Sequence, residues 1–122
     1  MSEKKGILKE KSFRFAITII HVYKKRVESK KEFVLSKQLL KSGTSIGVMV
    51  RESQNAESKS DFIHKFAIAQ KECDETLYWL ELLKEANYIE LTDFSKVQND
   101  ASGLLNIIRS SILTTKQNIH NS

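Results

Sequence analysis

The side chains able to do chemistry in this chain are few. Its three histidines, His21, His64 and His120, are scattered, and the Glu-x-x-His pairs that build a di-metal centre inside a helix bundle do not occur. They read as surface or boundary residues. Cys73 is the single cysteine, so no intrachain disulfide can form, and it falls in an apolar row where a thiol behaves as a small inert core residue. Serines, histidines and aspartates are present, but such combinations carry no signal without geometry. No catalytic residue, metal or cofactor is expected, and the chain reads as non-enzymatic.

Two charged groupings stand out. Glu72 and Glu75 share a helical row with Ile68, Trp79 and Leu82 and would be drawn into any interface formed there. Unpaired carboxylates in such a place are costly. Turning back the chain between its second and third helical segments brings Lys41 and Gln38 near Asp74 and Leu77. Pairing of the glutamates across subunits therefore outranks acid/base catalysis. The second grouping is basic: Lys24, Lys25, Arg26, Lys30 and Lys31 at the first predicted turn, preceded by Lys4, Lys5, Lys9, Lys11 and Arg14. A solvated, solubilising face and a phosphate-binding face both fit this cluster. No RNA-binding signature or stacking platform accompanies it, so nucleic acid would be held with weak sequence preference.

The elements that must carry these groups follow from composition and periodicity. The chain has 122 residues, 40% hydrophobic and 29% charged, with Gly 4 and Pro 0. That is room for one domain with a real core. The scarcity of turn formers argues against sandwiches and barrels. Twenty Lys and Arg against fifteen acids give a net charge of +5. The imbalance is one-sided: residues 1–41 hold twelve cations and four acids, a surplus of eight, while residues 42–122 hold eight and eleven. The stretch from Phe15 to Val22 resembles a signal-peptide core, but Lys24, Lys25 and Arg26 follow it and no small-residue cleavage site does. With no apolar run of about 20 residues, membrane insertion is not expected, and the cytoplasm is the expected compartment.

Helical periodicity recurs four times, predicting helices over residues 12–29, 35–56, 59–86 and 93–117, with frayed ends beyond. Ser58 with Asp61 forms a start signal for the third, and Thr92 with Asp93 for the fourth. Short connections make sequential helices antiparallel, so the expected architecture is an all-α, up-down-up-down four-helix bundle. Helix four carries one apolar stripe, Phe94, Val97, Ala101, Leu104, Leu105, Ile108 and Ile112. Helices one and three carry two. In helix three Phe62, Phe66, Ala69, Cys73, Thr76, Leu77, Leu80 and Leu83 form a core row, and Ile68, Glu72, Glu75, Trp79, Leu82 and Ala86 form a second. In helix one, Phe13, Ala16, Ile17, Ile20, Tyr23 and Val27 form one face and Phe15, Ile19 and Val22 another. A wide stripe packed deeper into the core is one explanation. The favoured one is a self-association surface, with Phe15, Ile19, Val22, Ile68, Glu72, Glu75, Trp79 and Leu82 as its residues. Helix two has the helix-weakening Gly43 on the face of Leu39 and Ile46, where a bare backbone would let a neighbouring helix approach closely. No phosphate-loop pattern surrounds it.

Three segments, Ser36-Lys37-Gln38-Leu39-Leu40-Lys41-Ser42-Gly43-Thr44-Ser45-Ile46-Gly47, Ala56-Glu57-Ser58-Lys59-Ser60-Asp61-Phe62 and Lys71-Glu72-Cys73-Asp74-Glu75-Thr76-Leu77-Tyr78-Trp79-Leu80, together resemble the 23S rRNA intervening-sequence proteins, also called four-helix-bundle proteins. The likeness spans most of the chain. It departs at Val48-Met49, where that family tends to carry a polar pair. The resemblance implies an up-down bundle assembled into a homopentameric ring, and a distant fold relative is the pentameric accessory protein of diversity-generating retroelements, which engages a reverse transcriptase and nucleic acid. The expected function is therefore a non-enzymatic homo-oligomeric scaffold that binds structured RNA, DNA or a nucleic-acid-processing protein through a basic surface formed by Arg14, Lys24, Lys25, Arg26, Lys30 and Lys31. A protein–protein adaptor with no nucleic-acid binding is the alternative.

Overall fold

The computed structural model describes the backbone of residues 2–121 and the side chains of residues 6–121. Four helices follow in order: α1 (Ser2–Lys30), α2 (Val34–Ser53), α3 (Lys59–Glu85) and α4 (Leu91–Asn121). Each packs on its neighbours in the chain, and α4 returns to α1, closing an up-down-up-down bundle. The α1–α4 seam is the thinnest of the four. No strand occurs among the described residues.

The connections are short because each helix end is closed by its own residues. Lys31 takes a positive φ of 56°, which stops α1, and the Glu32 carboxylate then accepts hydrogen bonds from the backbone N–H of Leu35 (2.5 Å) and Ser36 (3.1 Å). A carboxylate there satisfies orphan donors and faces the positive end of the helix dipole. Ser58 caps α3 by accepting from Asp61 N–H at 3.0 Å, while Asp61 reaches back to Glu57 N–H at 3.2 Å. That is the start signal read from the sequence. At the other end of α3, Asn87 sits at φ 63°. Asn87 N–H then donates to Lys84 O and Tyr88 N–H to Leu83 O, a closure that ordinarily uses glycine and tolerates asparagine.

The outer helices are longer than the periodicity indicates. α1 begins ten residues before residue 12 and α4 continues to Asn121, so the expected frayed ends are helical. Leu8 is the reason in α1, since it is buried in the core. α4 starts at Leu91, which places Thr92 inside the first turn instead of at the cap. α2 ends at Ser53, three residues before residue 56, and a looser turn runs on through Ala56.

Burial inverts the assignment of the two faces of α1. Phe15, Ile19 and Val22 are 3%, 0% and 4% exposed and lie in the core of the bundle, so they are not an interface. Phe13, Ile17 and Ile20, read from the sequence as core, are 50%, 40% and 37% exposed. The row that turns inward is Leu8, Ser12, Phe15, Ile19, Val22 and Arg26, spaced four and three residues alternately as a bundle seam requires. α2 enforces this choice. A Cβ on Gly43 would stand 2.8 Å from Ile19 Cγ1 and 3.0 Å from its Cγ2, so the bare backbone of α2 at this point receives the branched side chain of α1. One turn on, Gly47 packs against Ser12. On its other side α2 meets α3 through small polar groups: the buried Thr76 hydroxyl donates to Glu72 O at 2.7 Å, and its oxygen lies at hydrogen-bond distance, 3.0 Å, from the Ser42 hydroxyl.

Candidate nucleic-acid interface

The basic surface separates into residues held by the fold and residues free for a ligand. Arg26 belongs to the first group. It is 1% exposed, its Nη1 donates to the backbone carbonyl of Tyr88 in the α3–α4 connection, and its Nε has no partner in the described structure. An arginine buried in this way fastens a loop and cannot reach a phosphate. Lys25 is also committed. Its Nζ lies 2.8 Å from Asp93 Oδ2 and 3.9 Å from Glu90 Oε2, and the hydrogen bond to Asp93, with that residue's charge, raises the Lys25 pKa above its ordinary value. Two of the six basic candidates thus pin the end of α1, Arg26 to the α3–α4 connection and Lys25 to the start of α4. Lys24, Lys30 and Lys31 are exposed and make no ion pair among the described residues. Lys4 and Lys5 lie outside the described side chains.

Arg14 belongs to a different place. It is exposed and paired only with Glu10, at 3.1 Å, and it lines a groove of about 550 Å³ along the thin α1–α4 seam. Lys11 and Thr18 from α1 and Lys96, Asn99 and Asp100 from α4 share this groove, over a floor that includes Phe15 and Leu104. Lys96 is paired with Asp100 at 3.3 Å, both side chains being substantially exposed. Such solvent-facing pairs contribute about 0–1 kcal/mol, so an incoming phosphate can take over either cation at small cost. Lys11 makes no ion pair among the described residues. The groove brings together cations from opposite ends of the sequence. Lys96 escaped sequence reading because only the antiparallel register of α1 and α4 sets it beside Arg14.

The acidic row on α3 is placed as the sequence suggests, on the outer flank. Ile68, Glu72, Glu75, Trp79 and Leu82 are all half-buried. Burial first, and then the adjacent Glu75 charge and hydrogen bond, push the Glu72 carboxyl pKa upward, with Lys71 and Lys41 opposing more weakly. Tyr78 is 56% exposed and meets Trp79 edge to face with ring centroids 5.2 Å apart. Cys73, one residue from Glu72, is buried in the core, and desolvation holds its thiol up to about 12. It is neutral at any physiological pH. The three histidines are exposed. Among the described residues no group of three or more histidine, cysteine or carboxylate side chains could hold a metal ion, and no helix is long and apolar enough to cross a membrane.

Known proteins bear on this arrangement in two ways. A protein of the S23 ribosomal protein family from Bacteroides thetaiotaomicron VPI-5482, of unknown function and solved at 1.70 Å, is 46% identical to this chain. The match covers 89% of this chain and 97% of that one, with a TM-score of 0.87. Among curated proteins none matches. The model of the 23S rRNA-intervening sequence protein family matches residues 4–110, a stretch that contains α2 and α3 whole together with the α1–α4 groove. An all-helical bundle with α2 embedded between α1 and α3, carrying these residues in this order, is a member of the 23S rRNA-intervening sequence protein family.

Proposed function

We propose that the protein is a non-enzymatic, homo-oligomeric scaffold that holds structured RNA against its basic α1–α4 side. The observation that carries this reading is the convergence of Lys11, Arg14 and Lys96 on one groove. Ion pairs that solvent already weakens engage two of the three, so phosphates meet cations that can be recruited without dismantling the fold. Lys24, Lys30 and Lys31 extend the positive surface along and beyond α1. Repetition of the groove around an oligomer turns a modest charge per chain into a multivalent surface for a folded polyanion. The family resemblance supports five as the number of copies.

The test is fluorescence anisotropy with a labelled RNA hairpin at two salt concentrations. The parent is expected to bind with a steep salt dependence. A Lys11→Gln, Arg14→Gln, Lys96→Gln variant removes three exposed cations without touching the core, and its salt slope is expected to fall by about 2–3, since each phosphate neutralised contributes about 0.9. Unchanged affinity and slope in the variant would take the groove out of the account. A parent that binds no RNA at low salt would favour the protein-adaptor reading.

A further inference from the structure

Gly43 and Gly47 are explained by what packs on them, Ile19 and Ser12. Gly103 is not. It is exposed in the middle of α4, and a Cβ there would meet nothing within 4 Å, so the chain carries a helix-weakening residue that no internal contact requires. Gly103 does line the α1–α4 groove, together with Lys96, Asn99 and Asp100. Spacings of three, four and seven residues from Lys96 place these four on one face of α4. The groove, at about 550 Å³, is of a size that holds a small ligand, and a bare backbone on its wall lets a ligand approach α4 closely.

The contact of Lys25 Nζ with Asp93 Oδ2 at 2.8 Å fixes the register of the two antiparallel helices. Two turns further along each, Thr18 stands level with Asp100, and two turns beyond that Lys11 stands level with Ile107. Along the groove the order is therefore Lys96, then Asp100 with Asn99, then Gly103, then Arg14 and Lys11. Cations hold the two ends and a carboxylate holds the middle. A phosphate is attracted to either end and repelled from the centre, where the ligand must instead present donors. A nucleotide turned into the groove meets both demands, with its flanking phosphates at the ends and its base between them. The Asp100 carboxylate is engaged only by the exposed Lys96, at 3.3 Å, a pair weak enough to open. Ionised, it only accepts hydrogen bonds. Guanine alone among the RNA bases sets two N–H donors, at N1 and N2, side by side on its pairing edge, where the two oxygens of one carboxylate can take both. Asn99 makes no hydrogen bond among the described residues, and its amide adds a donor and an acceptor next to that edge. Only an unpaired nucleotide has the edge open. We infer that the groove receives a single unpaired guanine nucleotide of the RNA, its base on Asp100 and Asn99 against the bare backbone of Gly103, its phosphates on Lys96 at one end and on Arg14 and Lys11 at the other. This rests on the RNA reading above and names the nucleotide that the site selects.

Three labelled RNA hairpins with one common stem test this by anisotropy: one fully paired, one with a single unpaired guanine, and one with a single unpaired adenine. The parent chain is expected to bind the guanine hairpin about tenfold more tightly than the other two, within the range of a good bidentate base contact. Gly103→Leu is expected to raise the melting temperature by a few degrees, because leucine favours the helix and meets nothing at that position. Its side chain leans back over the preceding turn, which is Asn99 and Asp100, so the guanine preference is expected to disappear while the salt slope, set by the end cations, is retained. Asp100→Asn keeps the size of the side chain but turns a donor toward guanine's donors, and the ratio of guanine to adenine binding is expected to fall toward one. A parent that binds the three hairpins equally, or a folded Gly103→Leu chain that keeps the guanine preference, would overturn the inference and leave the RNA reading standing. A parent that binds none of them at low salt would remove that reading and this inference with it.

Discussion

Gly43→Leu is expected to lower the melting temperature by about 8 °C or more, a net loss of about 2 kcal/mol for a domain of this size. The first added carbon already stands 2.8 Å from Ile19 Cγ1, and Ile19 is fully buried with a β-branched side chain that has little freedom to turn away. Overpacking of a filled site costs about 1–3 kcal/mol and more when backbone must shift, against a helix-propensity gain of up to about 1 kcal/mol. The clash dominates. Its location is checked by adding Ile19→Ala to the Gly43→Leu chain: the double variant is expected to be more stable than the sum of the single effects, as direct contact requires. Gly47→Ala is a contrasting control, because its Cβ would meet its nearest neighbour, Ser12 O, at an ordinary 3.5 Å. An unchanged melting temperature for Gly43→Leu would mean that α1 and α2 do not approach at this point.

Arg26→Glu is expected to be more damaging still, at about 3–5 kcal/mol, the range for leaving a buried charge without its partner. The substitution sets a carboxylate against the Tyr88 carbonyl that Arg26 now serves, in a place 1% open to solvent. With total stabilities of about 5–15 kcal/mol, most of the folded population is at risk. Arg26→Met keeps the volume and removes the charge, and is expected to cost much less. Lys24→Glu, two residues away on the exposed side, is expected to change stability by less than about 0.5 kcal/mol. Denaturant titration of the three variants checks this order. Equal stability of the Arg26→Glu and Lys24→Glu chains would contradict the placement of Arg26. The basic run Lys24-Lys25-Arg26 is thus one solvent-facing cation, one cation paired to the start of α4 and one core cation that holds the α3–α4 connection.

That run shows where sequence reading succeeds and where it stops. Helix number, order and the α2, α3 and α4 core rows were legible because apolar residues repeat at bundle spacing and because Ser58 and Asp61 mark a helix start by local chemistry. The two faces of α1 were not distinguishable, since Phe13–Ile17–Ile20 and Phe15–Ile19–Val22 are equally apolar. The inward row is recognised only when it is continued through Leu8 and Ser12 on one side and Arg26 on the other, and two of those three are polar. Gly43 was the available signal: a glycine on α2 demands a large partner opposite, and Ile19 fills that place. The α1–α4 groove was out of reach for a different reason, as it depends on the register of helices more than sixty residues apart in the chain.

The central claim is that these bundles work as an assembly, and native mass spectrometry at micromolar protein tests it most directly. Five chains of 14.0 kDa, about 70 kDa in total, are the expected species. A single species at the 14.0 kDa of one chain would contradict the scaffold.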